Sequence, residues 1–572
     1  EIYQLEEQRL VLDLLDKGFS FMSDRQKMEY LNSVNYLFEY WRSFHYNYYP
    51  TKHTISTSTY DLELEIKDMV LRSSMNTRRA IENSGDTSAT AAYDQWLVLN
   101  QLIAKQHNKV ISERRSDLDS IASVAERLEK ELSLLSTDFK RQISRIDWKQ
   151  VQNNLAENEA AIEFSSFHYI DSSSNWTDST LYVALVIRPG YTYPKMVTLF
   201  EQKELDALTE ISGVDDKTLI SSLYRGLVSE TIINQSNTDG LYDLLWAPFD
   251  SLLSGVDKVF YSPSGSLHKI SFSALPYSED TLLSQRYELH RLSSTAMVTR
   301  AFEDTPPQSI VLFGGMDYDL DQQTMYDLAL TINTSNTNFT RGLPSDLSEK
   351  GNSNWPYLPG TISEIEKVSD LAKQKGLKTV TFQGEDGLEE QFKLLSQNPP
   401  SVIHLATHGF FYPDPEMKEE GRTTMNNSNH FKDSDDPLNR SGILFSGANL
   451  AWSGSQMKGV DNGVLTAKEA SYVSLNGTSL MVLSACETGL GEVQGSEGVF
   501  GLQRALRSSG VGQLLMSLWK IPDEATAEYM DLFYSHYLDG TSIRQSYYKT
   551  QTEMRNRYPE DPYTWAAFVL IR

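Results

Sequence analysis

The run SLMVLSACETGLG, residues 479–491, carries Cys486, the only cysteine among 572 residues. Its first half is continuous and apolar rather than alternating, the pattern of a strand covered on both faces by helices. Its second half is small and glycine-rich, so the strand is expected to end at the cysteine. Four similar runs follow the Pro-rich stretch EDTPPQS (303–309): IVLFGG (310–315), KTVTF (378–382), SVIHLATHG (401–409) and GQLLMSLW (512–519). Helical stretches lie between them. In PGTISEIEKVSDLAKQKG (359–376), Thr361 and Glu364 fit a capping box, Ile365, Val368 and Leu371 recur as a buried face, and Gly376 ends the helix. Strands alternating with helices predict an α/β domain with a mostly parallel sheet over residues 301–572.

Upstream, residues 148–300 hold shorter β-rich runs, AAIEF (160–164), LYVALVI (181–187), KMVTLF (195–200) and KVFYSP (258–263), and read as a first α/β unit. Residues 1–147 read as all-helical, most clearly over 116–146, where Leu118, Ile121, Leu128, Leu132, Leu135, Phe139 and Ile143 recur at three- and four-residue steps. No fixed period decides between a bundle and the end of a helical repeat array. The chain begins at Glu1 inside an apparently helical pattern, so further sequence is expected upstream.

Fifty-one basic against 77 acidic residues leave a net charge of −26, which disfavours binding to nucleic acid or anionic membrane and favours basic partners. A single cysteine excludes an intramolecular disulfide framework and a thiolate-cage zinc site, and it suits a reducing cytoplasm. The sequence has no apolar run of about 18 residues that would span a bilayer, and acidic residues interrupt the opening EIYQLEEQRLVLDLL, unlike a signal peptide.

Two strand runs end on reactive side chains, His408 followed by Gly409, and Cys486. Ligands of open α/β sheets bind beyond the carboxyl ends of the strands, so neighbouring strands ending this way would bring imidazole and thiol to one cleft. The thiolate is the attacking species, and a nearby imidazole raises its fraction. The backbone N–H groups of Gly409 and Cys486 would face a developing oxyanion, with Gly489 and Gly491 leaving room for a peptide. SEGVFGLQRALRSS (496–509) reads as the helix after the cysteine loop. Taken singly, Cys486 could be a small buried hydrophobe and His408 a hydrogen-bonded strand-end residue. His404 is a rival on the same run, but it lies within the apolar stretch. No GxxxxGK[ST] motif supports a nucleotide-binding reading.

HLATHGFF, LSACETGLGEVQGSEGVFGLQRAL, LLMSLWKIPDEAT and the terminal TWAAFVL resemble the CHAT family of caspase-like cysteine peptidases, relatives of caspases, gingipains and separase. The resemblance implies a caspase-like α/β fold, a His–Cys dyad formed by His408 and Cys486, no metal and no cofactor. It also implies TPR-like repeats ahead of the module, a protein activator or sensor acting through the helical region, and a role in bacterial defence or cell death. By analogy with separase, residues 148–300 would be a degenerate caspase-like unit in which His268 follows a strand. In SLWKIPDEAT, Asp523, with Glu524 beside it, matches the acidic residue that holds a basic substrate side chain, although Asp523 also suits a helix N-cap. The polar stretch 414–440 reads as a surface loop that would cover the cleft, be cut for activation, or serve as an inert insertion. The leading expectation is a cysteine endopeptidase cleaving a protein substrate after a basic residue. The alternative is a catalytically silent scaffold built on the helical and first α/β regions.

Overall fold

The computed structural model describes residues 2–107, 114–135, 145–211, 213–225, 240–278, 281–300, 305–334, 354–414, 431, 434, 436–454, 460–485, 491–493 and 498–572. Six helices form the N-terminal region: α1 (Ile2–Phe19), α2 (Asp24–Tyr48), α3 (Ser56–Ile66), α4 (Met69–Ser84), α5 (Thr87–His107) and α6 (Leu118–Leu135). A capping box between Ser23 and Gln26 starts α2. On α6, Leu118, Ala125, Leu128 and Leu132 are buried, as their helical spacing predicts. Phe139 and Ile143, assigned to the same stripe, lie outside the described residues.

The first α/β unit carries β1 (Glu159–Ile170), β2 (Trp176–Ile187), β3 (Lys195–Glu201), β4 (Lys258–Ser262) and β5 (Glu288–Arg291). They form one sheet in the order β3-β2-β1-β4-β5. The three long strands on one side are antiparallel, whereas β1, β4 and β5 run parallel. All four β-rich runs read from the sequence fall on strands of this mixed sheet.

The second sheet is built from β6 (Ser309–Met316), β7 (Lys378–Gly384), β8 (Val402–Ala406), β12 (Leu480–Ser484), β15 (Gln513–Ser517) and β16 (Phe568–Ile571), in the order β16-β15-β12-β8-β6-β7. Only β16 is antiparallel. β9 (Gly409–Phe411), β10 (Ser441–Leu444) and β11 (Val464–Thr466) make a small antiparallel sheet at its carboxyl edge, and β13 (Glu492–Val493) pairs with β14 (Val499–Phe500). Four helices of this unit are α7 (Pro359–Gln374), α8 (Leu502–Ser508), α9 (Asp523–Leu538) and α10 (Ile543–Arg557). Residues of β8 and β12 are buried throughout, in keeping with helices on both faces.

Three local expectations are corrected. Thr361 and Glu364 form no capping box: α7 begins at Pro359, with Leu358 at the N-cap and no side-chain cap. Proline at the first helical position loses no hydrogen bond and sets the helix by itself. Thr361 Oγ1 instead accepts from the Gly315 N–H at 2.9 Å and donates to the Leu358 carbonyl at 2.7 Å, locking α7 to the end of β6. KTVTF is not covered on both faces, because β7 is an edge strand whose residues are half-buried or exposed. The helix expected over 496–509 starts only at Leu502, since Val499 and Phe500 pair with β13.

The two sheets share a hydrophobic core. Ile162, Val186 and Val259 of the first sheet belong to the same buried cluster as Leu312, Val482 and Leu515 of the second, with Tyr529, Phe533 and Met554 of α9 and α10 between them. Tyr547 of α10 hydrogen-bonds both Ser273 and the Phe568 carbonyl, at 2.7 and 2.9 Å.

The N-terminal helices are fastened to the first sheet by buried charge. Arg42 of α2 makes a bidentate pair with Glu63 of α3 at 2.7 and 3.0 Å, and Glu63 also accepts from Ser165 of β1 at 2.6 Å. The Lys67 ammonium reaches the carboxyl end of β4 and the adjoining middle of β1, 2.5 Å from Glu163 Oε1, and donates to the carbonyls of Phe164, Ser262 and Pro263. Removing one partner of such a pair leaves the other charge buried alone. Lys67→Met is therefore expected to lower unfolding free energy by about 3–5 kcal/mol in urea denaturation. Adding Glu163→Gln to Lys67→Met should recover part of that loss; a double variant no more stable than the single one would contradict the pairing.

Candidate active site

β8 and β12 lie side by side at the centre of the six-stranded sheet, with Leu480 opposite Val402 and Ser484 opposite Ala406. Beyond β8 the chain passes Thr407 and His408 and enters β9 at Gly409. Beyond β12, Ala485 is the last residue described before Cys486, which lies outside the described residues together with Gly489. Most of the 414–440 stretch is also outside them.

His408 is held from several sides. Its backbone N–H donates to the Tyr318 hydroxyl at 3.2 Å, and the Tyr318 and Trp355 rings lie 5.1 and 4.9 Å from its ring. Tyr318 is itself placed by Thr407, 2.8 Å away, whose hydroxyl donates to the Leu444 carbonyl. His408 Nε2 lies 2.8 Å from the Pro356 carbonyl. A carbonyl can only accept, so Nε2 carries the proton and the neutral ring keeps its lone pair on Nδ1. Burial pushes the His408 pKa below its ordinary 6.5; the Pro356 hydrogen bond opposes the fall, Lys520 adds to it, and Asp523 opposes it. Near neutral pH the ring is a base rather than an imidazolium.

Gly409 sits opposite Ile443 in the β9–β10 pair. Leu444 donates to the His408 carbonyl and Tyr412 donates to the Arg440 carbonyl, so the rows bonded to β10 fall at 408, 410 and 412. The same alternation turns the Gly409 N–H away from β10. His404, the rival histidine, is wholly buried inside β8, with Nε2 3.0 Å from Glu364 Oε1 and Nδ1 3.2 Å from the Tyr534 hydroxyl. It packs within the sheet-helix interface rather than at the strand end.

A cleft lies at the carboxyl ends of β8, β12 and β15, where Thr407, Ser484, Ala485 and Ser517 line it. Asp523, Thr526, Thr361 and Glu364 close its other side. Asp523 is the first residue of α9 but not its cap, which is Pro522. Its side chain packs against Gly360 in the first turn of α7: a Cβ there would come within 2.6 Å of Asp523 Cβ. A side chain at 360 would force α7 and Asp523 apart. Glu524 is exposed and is not among the residues lining the cleft. Gly491 opens the short strand that follows the cysteine loop. His268 is buried in the short turn Gly265–Lys269 that follows β4, its pKa held well below 6.5 by burial and by the nearby Arg291 and Lys67 charges. Among the described residues, no group of three or more His, Cys, Asp or Glu side chains could hold a metal ion, and no helix is long and apolar enough to cross a membrane.

The residues that orient His408 escaped sequence reasoning. Pro356 contributes only a carbonyl, and Tyr318 acts from 90 residues away, so neither leaves a local motif. Glu364 escaped because an acidic residue three positions after a threonine reads as a cap.

A family model described as CHAT domain matches residues 236–572, more than half of the chain. No curated protein matches it in sequence. Among solved structures, the chain is similar to one from the Saccharomyces cerevisiae separase–securin complex, at 10% identity and a TM-score of 0.36, covering 82% of this chain and 32% of that one. It thus spans about a third of that relative's length. It is also similar to the complex of Porphyromonas gingivalis RgpB pro- and mature domains, at 9% identity and a TM-score of 0.33, covering 65% and 75%. For the Arg-specific cysteine proteinase gingipain R, the values are 9%, 0.33, 62% and 73%.

The opposing influence of Asp523 on His408 is testable directly. Because a carboxylate favours the imidazolium, Asp523→Asn should shift the His408 titration further down in histidine NMR. An upward shift, or none, would contradict the attraction between the Asp523 carboxylate and the His408 imidazolium.

Proposed function

We propose that this chain, which belongs to the CHAT domain family, is a cysteine endopeptidase in which His408 serves Cys486 and Asp523 selects a basic residue. One observation carries the reading. Ala406 and Ser484 are partners on adjacent parallel strands, and His408 and Cys486 each follow two residues later. Both residues therefore follow the ends of neighbouring strands at one edge of the sheet, where a thiol and an imidazole would serve one cleft. His408 Nδ1 would then take the thiol proton, and the thiolate would attack a peptide carbonyl to form an acyl-enzyme that water hydrolyses. The N–H groups of Gly409 and Cys486 would hold the oxyanion.

The cleft supports the substrate preference. Asp523 lines it beside the strand that leads to Cys486, and a carboxylate there pairs with Arg or Lys through charge-assisted hydrogen bonds. Glu524, being exposed, would act only at the rim. The unit over 148–300 would be a degenerate partner of the catalytic unit over 301–572, contributing the shared core rather than chemistry.

Regulation by a protein activator or sensor through the helical region, residues 1–147, is consistent with how that region is tied down. Asp68 pairs with Arg507 of α8 at 3.0 Å, and Arg78 of α4 donates to the carbonyls of Ser508 and Ser509. Both contacts grip the helix that follows the cysteine loop in sequence. TPR-like repeats upstream, a cytoplasmic location and a role in bacterial defence complete the proposal from the family resemblance, with no nucleic acid, membrane, metal or cofactor in the chemistry.

A peptide panel differing only in the residue before the scissile bond tests the reading. Wild type should prefer Arg and Lys, and both Cys486→Ala and His408→Ala should lose about 10³-fold or more in kcat/KM. Equal turnover by wild type and Cys486→Ala would rule out the thiol mechanism. The acid limb of kcat/KM should fall below pH 6.5, because His408 is protonated, and lost as a base, only below its lowered pKa. A silent scaffold would instead leave Cys486 unlabelled by a thiol-reactive peptidyl probe.

A further inference from the structure

The cleft beside the strand ends has a floor that the preference for a basic residue, as argued from Asp523 alone, does not use. Glu364 lies on α7, 2% exposed, and lines the cleft together with Asp523, Ser484 and Ser517. One carboxylate oxygen lies 3.0 Å from His404 Nε2, a contact that does not meet the geometry of a hydrogen bond. Ser484 Oγ, on the opposite wall, is buried and has no hydrogen-bond partner among the described residues. A buried carboxylate and an unmatched hydroxyl facing one void are costly unless something enters to meet them. Two carboxylates in one cleft make that something a cation with several donors.

We propose that Glu364 is the second specificity-determining residue of this pocket, a deep carboxylate that receives the distal end of a substrate guanidinium while Asp523 contacts it nearer the mouth. The inference rests on the peptidase reading and deepens it. Arginine is the fitting side chain because its guanidinium presents five donors in a planar fork, enough for two carboxylates and the Ser484 hydroxyl. A lysine ammonium is a compact charge that meets fewer of them at once, so the pocket prefers arginine over lysine. The N-terminus of α9 opens on this cleft, and its partial positive charge is complemented by Asp523 in its first turn rather than left to attract an anion.

The test uses the full chain carrying Cys486→Ala, with benzamidine as the guanidinium-like probe and calorimetry as the readout, so that turnover is not needed. The parent should bind benzamidine, and Glu364→Gln, which keeps the size of the side chain, should weaken binding about 30-fold. Glu364→Asp, which keeps the charge, should bind more tightly than Glu364→Gln, and thermal melting checks that each variant is folded. In otherwise wild-type enzyme, Glu364→Gln should lower the ratio of kcat/KM for arginine over lysine peptides, a change that a merely structural role would not produce. Unchanged benzamidine affinity in Glu364→Gln, with Asp523→Asn weakened, overturns the role of Glu364 and leaves the basic-residue reading standing. A parent that does not bind benzamidine, in an enzyme with no preference for basic residues, overturns both.

Discussion

The register between β8 and β12 is the constraint on which the candidate site depends. Parallel neighbours cannot slip by one residue without turning every side chain to the opposite face, and both strands are buried on both faces. Val402, Ala406, Leu480 and Val482 pack in one core, whereas Ile403, Leu405, Met481 and Leu483 pack in the other. Each face therefore fixes the pairing independently. The pairing is fixed in this way up to Ala406 and Ser484, the last paired residues.

Around this centre, polar groups are placed by backbone as much as by side chains. The Pro356 carbonyl selects the tautomer of His408, and the Gly315 N–H holds Thr361 and with it the first turn of α7. Gly360 then lets Asp523 approach, so the end of β6, the start of α7 and the start of α9 meet over the cleft. Buried charge does the longer-range work. Lys67 binds the middle of β1 and the carboxyl end of β4, and Arg78 reaches α8, so the helical region touches both α/β units through residues only 11 positions apart. The common core under α9 and α10 makes the two sheets one mechanical body at that interface.

Much of this was legible in the chain. Continuous apolar runs located β6, β8, β12 and β15, and the helical period located α7 and α6, because burial on one or two faces leaves a periodic record. Misreadings came where two physical explanations share one pattern. Thr361 and Glu364 have capping-box spacing, yet Pro359 starts the helix and their polar atoms turn to Gly315 and His404. KTVTF is apolar enough for an interior strand but ends up at the edge, since strand order is not encoded in the strand itself. Val499 and Phe500 looked helical because they adjoin a helix, and a two-residue hairpin leaves no period to detect.

By itself, the sequence determined the α/β alternation, the helical N-terminal region, the acidic charge and the candidates His408 and Cys486, because these follow from local periodicity, composition and strand-end residue types. Tertiary structure alone decided which strands are neighbours, that His404 belongs to the core, that His408 carries its proton on Nε2, and that Glu364 and Asp523 face one cleft. Those facts depend on contacts between residues tens of positions apart, and a linear pattern holds no record of which distant backbone carbonyl or carboxylate a folded chain will bring to a side chain.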